Sequence, residues 1–450
     1  MKRHAIIGRF GQDDREPLPT SQDELVSDLN LLTSGKELDH GISQAIADLT
    51  SLALFPTEIG LDLLVLAAHV QAADTRISRA TESQDTWTRE LRLVVPVSNV
   101  ARWAAAAPVL KRALDFLTGD RWTIEFRARP GGFAALVPER RGQPIGPRFN
   151  GVSLFSGGLD SLIGAIDVLE AGGSPLLVSH AAEGAISKSQ EECYEGLNGH
   201  YRQRVFERLR VWMSFKTGFV SGVGSEDTTR ARSFLFFSIG VFAGTCLTGS
   251  FTLRVPENGL VALNVPLDSL RLGALSTRTT HPFYMARWNE LLVALGIPGH
   301  LENPYWDKTK GEMVAGCSNG SLLRQLVPYS LSCSSPSKGR WQKQKPGHCG
   351  YCVPCLIRRA ALVASDTTRY RISDLRTQVL DSQCAEGQQV RSFQLAIRRV
   401  QDHPTQAKLL IHKSGPLSDE VNHLEEWAGV YLRGLEEVGR LLSDVPVRPS

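Results

Sequence analysis

The stretch GVSLFSGGLDSLIGAIDVLEAGGSPLLVSH, residues 151–180, constrains the fold more than any other part of the chain. Its two ends are short apolar runs of the kind that form buried parallel strands. The segment between them has helical spacing of apolar residues and ends at a glycine pair, residues 172–173. A strand, a glycine-rich turn, a helix and a second strand make a βαβ unit. We therefore predict an α/β protein with a doubly wound parallel sheet, whose ligand lies at the carboxyl ends of the strands.

Length and patterning divide the chain into three parts. At 450 residues it exceeds one ordinary domain of roughly 100 to 200 residues. Residues 1–148 begin with a polar stretch expected to be flexible and continue as a small α+β domain, in which WTIEFRA and GFAALVP pair as strands across the turn RPGG. Residues 149–330 alternate strands with helices and form the α/β core. Residues 331–450 carry clustered cysteines and then charged, helical sequence. The turn-rich segment 140–148 is the expected linker.

Composition narrows the class of protein. The formal net charge is only +3, so the sequence predicts no basic surface and disfavours nucleic acid as a partner. The basic start MKRHAIIGRF is not followed by the apolar segment of a signal peptide, and no run approaches the roughly 20 apolar residues of a membrane-spanning helix. We expect a cytoplasmic protein with no membrane partner, whose cysteines are metal ligands or free thiols rather than disulfides.

The turn SGGLDS has the chemistry of an anion site. Its two glycines adopt backbone angles that other residues resist, and they let main-chain N–H groups approach a ligand closely. At the start of a helix those groups and the helix dipole favour phosphate. The alternative is an ordinary βα turn with a Ser/Asp cap, and the turn is not a GxxxxGK[ST] P-loop because no lysine follows the glycines. The residues predicted to hold the phosphates of a nucleotide are Ser156, Gly157, Gly158, Leu159, Asp160 and Ser161.

The acid within this turn predicts a metal ion. Asp160 would repel a bare phosphate, because both groups are negatively charged. The position is favourable if a Mg²⁺ ion lies between the carboxylate and the phosphates, since Mg²⁺ is commonly bound by carboxylates together with substrate phosphates. We therefore expect Mg²⁺ to accompany the nucleotide at this turn.

Four cysteines have the spacing of a second metal site. Cys349, Cys352 and Cys355 follow one another in CGYCVPC, and Cys333 precedes them across a longer gap. Three thiols on a tight knuckle and one from a preceding loop complete a tetrahedral shell of the kind that holds structural Zn²⁺. The alternatives are an iron–sulfur cluster, free thiols or a disulfide. The remaining cysteines are isolated and are expected to be core or surface thiols: Cys193, Cys246, Cys317 and Cys384.

Two of these features resemble one known family. LFSGGLDSLIGA is similar to the phosphate loop of the pyrophosphate-loop ATPases, which split ATP between its α- and β-phosphates. The cysteine segment, with Arg358 on the helix that follows, is similar to the zinc segment of the QueC-like 7-cyano-7-deazaguanine synthases within that class. The resemblance implies an adenine nucleotide alpha-hydrolase-like fold, ATP and Zn²⁺.

Two further segments match the same family in the same order. TRARSFLFF is similar to its Arg-x-x-x-Phe-Leu helix start, and KGEMV is similar to its Lys-x-Glu segment. Together the four segments span about residues 150–360. The matching positions are Arg230, Phe234, Leu235, Lys310 and Glu312.

The chain also departs from that family. The Tyr-Gly-Gln-Arg-His stretch after the second strand is missing, and VSHAAEGAISKSQEE stands there with His180 and Gln190 as candidate substitutes. The gap between Cys333 and Cys349 is longer and carries KGRWQKQK, and both ends of the chain are extended. A core with both extensions resembles the QueC-like proteins of bacterial anti-phage defence operons, the QatC group.

The resemblance implies that ATP adenylates 7-carboxy-7-deazaguanine and that an amine then forms the amide. The charge that builds on the departing pyrophosphate has to be stabilised, which amides, Mg²⁺ and cations can do. We expect Asp160, Arg230 and Lys310 to be catalytic, Arg232 to be a further cation at the substrate, and His180 to lie on the adenosine side. For Lys and Arg the alternative is an ordinary surface role.

The base of this substrate needs a hydrogen-bond acceptor for its N1–H and exocyclic amine, and a carboxylate would fit that edge. VPENGLVALN places Glu257 and Asn258 in a turn after a predicted strand, and STRTTHP adds Arg278 and His281. We predict that these four residues form the base pocket. The alternative is a structural turn held by its proline and glycine.

The acceptor amine is the open part of the prediction. The extra domain and the long loop beside the cysteines are expected to seat a protein partner from the same operon, whose amine accepts the activated deazaguanine carboxylate. The first alternative is a 7-cyano-7-deazaguanine synthase that uses ammonia. The second is a non-catalytic defence subunit that binds the nucleotide only for assembly.

Overall fold

The structure is a computed structural model that describes residues 3–83, 85, 87–139, 149–181, 184–268, 278–339, 343–377 and 379–448. The predicted linker, 140–148, lies outside these ranges. The strands are β1 Arg3–Arg9, β2 Glu24–Asn30, β3 Leu32–Ser34, β4 Glu37–Leu38, β5 Glu90–Val97, β6 Arg121–Ala128, β7 Gly151–Leu154, β8 Pro175–Ala181, β9 Glu207–Trp212, β10 Phe251–Arg254, β11 Gly299–Glu302, β12 Leu380–Asp381 and β13 Val447–Arg448.

The α-helices alternate with these strands through most of the chain and dominate its C-terminal part. They are α1 Ile42–Ser51, α2 Glu58–Arg76, α3 Arg79–Glu82, α4 Val100–Thr118, α5 Leu159–Glu170, α6 Gly184–His200, α7 Arg232–Gly244, α8 Gly259–Leu263, α9 Pro282–Ala294, α10 Lys310–Gly316, α11 Gly320–Leu326, α12 Val353–Leu362, α13 Ala385–Asp402, α14 Ala407–Leu410 and α15 Leu424–Leu442.

The predicted parallel α/β core is confirmed. Its five-stranded sheet has the order β11-β10-β7-β8-β9, and every pair is parallel. Val152 and Leu154 pack on one face with residues of α7, while Phe155 and Leu177 pack on the other with residues of α5. The chain leaves β7 towards β8 and returns to its other side at β10. The strand order therefore reverses between β7 and β10, where ligands of open parallel sheets bind.

The N-terminal part is a second parallel α/β unit, so the prediction of an α+β domain was wrong. Its four-stranded sheet has the order β2-β1-β5-β6, and all pairs are parallel. The predicted hairpin does not form: WTIEFRA is β6, but GFAALVP is not a strand. The amides of Leu136 and Val137 donate to the carboxylate of Glu58, at 2.7 and 2.9 Å, instead of to a neighbouring strand.

The start of the chain is also more ordered than predicted. It forms β1, an inner strand of this sheet, in which Ala5, Ile6 and Ile7 are buried. Helix α2 is buried from Gly60 to Thr75 and packs against α7 of the core. Because apolar residues from both sheets belong to one continuous hydrophobic cluster, the N-terminal unit packs directly on the core.

The C-terminal part is helical, as predicted. Helix α15 packs against α8, α12 and α13 around a separate hydrophobic cluster. The four-cysteine segment lies just before and at the start of α12. Within the described ranges, we find no helix that combines the length and the apolar character needed to cross a membrane.

Candidate functional site

The SGGLDS turn lies where the strand order of the core sheet reverses. It joins β7 to α5, and Gly157 has a φ of +79°, a left-handed angle that favours glycine. A Cβ atom on this residue would lie 2.9 Å from the backbone nitrogen of Gln190. Its carbonyl accepts hydrogen bonds from Ser189 Oγ, at 2.7 Å, and from the Leu331 amide, at 2.8 Å. The turn is thus fixed by two segments outside it.

The two serines of the turn form a hydrogen-bonded ring. Ser161 Oγ donates to the Gly158 carbonyl at 3.0 Å, and the Gly158 amide donates to Ser156 Oγ at 3.3 Å. The two hydroxyls are 3.1 Å apart. Because the proton of Ser161 is already used, Ser156 must be the donor between them. Both hydroxyls hydrogen-bond within the turn, and their predicted role in binding phosphate stays a prediction.

Helix α5 begins without a side-chain cap, because the residue before it is Gly158. The first amides of a helix have no intrahelical partner and attract an anion. The amide of Leu159 donates to Ser332 Oγ at 3.3 Å, a long hydrogen bond to a residue just before the first metal-site cysteine. Sequence analysis missed Ser332 as a site residue, because 173 positions separate it from Leu159.

A buried polar cluster surrounds the acid of the turn. Asp160 forms an ion pair with Lys310 at 2.7 Å and accepts a hydrogen bond from the Asn258 side chain at 2.8 Å. Asp160, Asn258 and Lys310 are all at least nine-tenths buried. The predicted residues come from the turns after β7 and β10 and from the start of α10. The fold therefore brings together three residues that the sequence separates by up to 150 positions.

The two carboxyl groups of this cluster have opposite pKa shifts. Burial raises the pKa of Glu257 well above its ordinary value, and the negative charge of Asp160 adds to that shift. For Asp160 burial also favours the neutral form, but Lys310 and the hydrogen bonds from Glu257 and Asn258 outweigh it and lower the pKa. Glu257 therefore keeps its proton to a higher pH than an ordinary glutamate, and it hydrogen-bonds through that proton to Asp160. A divalent cation bound by both carboxyl groups would have to displace that proton.

Replacing Glu257 with glutamine tests this assignment. The folded protein holds a proton on Glu257 after the unfolded chain has lost it, so stability falls as pH rises from the ordinary Glu pKa of 4.5 towards the raised value. We expect Glu257→Gln to remove this slope, and chemical unfolding measured from pH 5 to 8 checks it. Glu425→Gln, an exposed control, should leave the slope unchanged. An equal slope in wild type and Glu257→Gln would contradict the raised pKa of Glu257.

Two other predicted residues lie beside this site. His180 is at the end of β8, and its carbonyl accepts a hydrogen bond from the Gln190 side chain, which also lies 3.5 Å from the Ser156 carbonyl. Burial and the nearby charge of Arg232 lower the pKa of His180 to about 4. His180 is therefore neutral at pH 7 and lies at the carboxyl end of β8, with Arg232, the first residue of α7, close enough to act on it.

Three predicted residues lie elsewhere. Arg230 donates to the Thr118 carbonyl and stacks on Trp87 of the N-terminal unit, with 3.8 Å from its guanidinium carbon to the ring centre. Arg278 donates to the Phe116 carbonyl, and His281 caps α9 with its ring packed on Phe116. These contacts join the N-terminal unit to the core, and none of them involves Glu257 or Asp160.

A cleft of about 790 Å³ lies next to the Glu257 turn. Asn303 and Trp306 line it, together with residues of α9 and the start of α15. The Asn303 side chain accepts from the Glu257 amide at 3.3 Å and donates to the Glu257 carbonyl at 2.8 Å. None of the four residues predicted to form the base pocket is among the residues that line this cleft.

The four predicted cysteines come together as a cluster. One sulfur atom from each of Cys333, Cys349, Cys352 and Cys355 lies within 4.8 Å of all the others. Two of the sulfur pairs are 3.9 Å apart. Sulfurs bound tetrahedrally to zinc, at about 2.3 Å each, are separated by about 3.8 Å. The cluster can therefore hold a metal ion such as Zn²⁺ with little movement.

Metal analysis of the purified protein tests this assignment. We expect about one Zn²⁺ per chain by mass spectrometry of metals, because the four sulfurs form one closed tetrahedral site. In Cys355→Ser the zinc content should fall to near zero, and the melting temperature should fall with it. Cys384→Ser removes an exposed thiol outside the cluster and should change neither quantity. Stoichiometric iron in wild type would instead indicate an iron–sulfur cluster.

Fold and site together define an α/β protein with two all-parallel sheets, a glycine-rich turn at the sheet reversal and a four-cysteine cluster able to bind a metal ion. No family model, curated protein or solved structure matches the chain.

Proposed function

We propose that this protein is an ATP-dependent amide-forming enzyme that adenylates a carboxylate and releases pyrophosphate. The observation that carries the proposal is the uncapped start of α5, where the glycine turn and the Asp160–Lys310 pair meet at the sheet reversal. This edge of a parallel sheet is where nucleotides bind in open α/β folds. The turn has no P-loop lysine, so the phosphates are held by amides and by cations from other segments.

Each residue of the site has a role in this reaction. Amides at the start of α5 bind the departing pyrophosphate, and Lys310 stabilises the negative charge that builds on it. Asp160 and Glu257 would hold a Mg²⁺ ion, since carboxylates are its preferred protein ligands. That ion would neutralise phosphate charge when bound. The neutral His180 ring at the end of β8 and Arg232 at the start of α7 contact the nucleotide.

We further propose 7-carboxy-7-deazaguanine as the acid and an amine of a partner protein as the acceptor. The family resemblance of four ordered segments supports the acid. The N-terminal α/β unit, which packs on the core through α2 and α7, supports a protein acceptor because it is additional to the catalytic core. With ammonia as the acceptor the product would be a small amide or nitrile.

The test is incubation of purified, zinc-loaded protein with ATP, Mg²⁺ and 7-carboxy-7-deazaguanine. We expect AMP and pyrophosphate in equal amounts, and neither product when the acid is omitted. Release of ADP and phosphate, or no dependence on the acid, would contradict adenylation of this substrate.

The acceptor requires a separate experiment. The protein and a partner encoded in the same operon are expressed together in cells that make 7-deazaguanines, and the intact mass of the partner is measured. A mass increase of one deazaguanine acyl group supports a protein amine. An unmodified partner, together with a free deazaguanine amide or nitrile, supports ammonia.

A further inference from the structure

The hydroxyl group of Ser332 has an orientation fixed by its neighbours. Its oxygen accepts a hydrogen bond from the Leu159 amide at 3.3 Å and another from the Arg358 guanidinium at 3.4 Å. A serine hydroxyl has two acceptor positions and one proton to donate. With both acceptor positions engaged, the proton of Ser332 points away from Leu159 and Arg358. Ser332 is only partly buried, so its proton is available to a ligand.

The guanidinium behind this hydroxyl is unusual for a buried arginine. Arg358 is fully buried, and its other hydrogen bonds reach the Val327 carbonyl at 2.7 Å, Ser330 Oγ at 2.9 Å and Thr368 Oγ1 at 3.0 Å. Within the described part of the chain, none of its hydrogen-bond partners is a carboxylate. A buried positive charge is normally paired, because desolvation is costly. Asp366 and Cys355 lie close enough to act on the Arg358 charge without a hydrogen bond to it, and an anion held in front of Ser332 would add to them.

The cysteine cluster holds both residues in place. Ser332 precedes Cys333, and its amide donates to His348 Nε2 at 3.1 Å, next to Cys349. Arg358 lies on α12, which also carries Cys355. The Leu331 amide donates to the Gly157 carbonyl of the turn. A metal ion bound by the cysteines would therefore fix Ser332 and Arg358 relative to the start of α5.

We propose that Ser332 is an additional ligand of the pyrophosphate group and that Arg358 is the positioning residue that aims it. This inference rests on the proposed function, because it concerns the same phosphate site. The Ser332 hydroxyl adds one donor to the amides of α5, and the Arg358 charge strengthens that donor. The four-cysteine segment thus contributes directly to the binding of the leaving group.

Binding of inorganic pyrophosphate with Mg²⁺ to the zinc-loaded protein, measured by calorimetry, tests the proposal. Ser332→Ala should weaken pyrophosphate binding by about tenfold or more, because it removes a hydrogen bond to a charged group. Ser332→Thr keeps the hydroxyl and should restore most of the affinity. Arg358→Met should weaken binding similarly, with zinc content unchanged in every variant.

Two matched controls distinguish loss of the positioning role of Arg358 from general damage to the fold. Ser330→Ala removes the other serine hydroxyl that Arg358 contacts, which in the described part of the chain bonds to Arg358 and the Val327 carbonyl and not to the turn. Arg359→Met removes the neighbouring buried arginine, which bonds to the Ile372 and Ser373 carbonyls instead. Both should bind pyrophosphate with nearly the wild-type affinity.

The outcomes distinguish this inference from the proposed function. If wild type forms AMP but Ser332→Ala binds pyrophosphate as tightly or more tightly, the hydroxyl only covers an amide and this inference alone is wrong. If Arg359→Met weakens binding as much as Arg358→Met, the aiming role is wrong. If wild type neither binds pyrophosphate nor forms AMP, both proposals are overturned.

Discussion

Replacing Asp160 with asparagine is expected to reduce the rate of AMP formation by about 10²- to 10³-fold, the range seen when one preorganised electrostatic contact is removed from an active site. The change keeps the size of the side chain but removes the charge that pairs with Lys310 at 2.7 Å. It also removes one of the two carboxyl groups available to Mg²⁺. Pyrophosphate release, followed with saturating ATP and 7-carboxy-7-deazaguanine, measures the effect.

The matched control is Asp402→Asn, which makes the same change at an exposed pair with Arg398. It should retain the full rate, as exposed ion pairs contribute little. A folded Asp160→Asn variant with the wild-type rate would remove Asp160 from the catalytic group.

Replacing Asp120 with alanine is expected to lower the free energy of unfolding by about 3–5 kcal/mol, the usual cost of removing one partner from a buried ion pair. Asp120 Oδ2 lies 2.6 Å from the Arg79 guanidinium and 2.7 Å from that of Arg89, and its other oxygen accepts from the Arg89 backbone amide. All three side chains are almost completely buried. Alanine would leave two arginines with Asp74 as their shared remaining carboxylate.

Chemical denaturation of wild type and Asp120→Ala at pH 7 measures this loss. The control is Asp28→Ala, which removes an exposed partner of Arg9 and should cost about 1 kcal/mol or less. An equal small loss in both variants would show that the buried network contributes no net stability. Because Asp74 also accepts from the Ala231 amide at the start of α7, Asp120→Ala is expected to weaken the attachment of the N-terminal unit to the core.

The predictions that the structure confirmed rest on local sequence patterns. The βαβ stretch from 151 to 180 indicated a parallel sheet, because a helix between two apolar runs leaves few other arrangements. The CGYCVPC spacing indicated the cysteine cluster, because three ligands within seven residues need little help from the fold.

Local sequence patterns gave wrong predictions where contacts with distant segments of the chain decide the structure. The segment RHAIIGR is short and flanked by charges, so it did not indicate β1, whose burial comes from β2 and β5 on either side. GFAALVP has strand-like composition, but the Glu58 carboxylate takes two of its amides. Arg230 matched a family pattern, yet it contacts Trp87 and Thr118 of the N-terminal unit.

The sequence by itself determined the parallel core, the glycine turn after β7 and the four thiols, because each depends on residues close together in the chain. Only the tertiary structure decided which side chains surround Asp160, that Glu257 hydrogen-bonds to Asp160, and that Ser332 meets the first amide of α5. The physical reason is that burial and hydrogen-bond partners set the pKa of a side chain and the direction in which its hydroxyl or amide donates. Here those partners come from segments far apart in the chain.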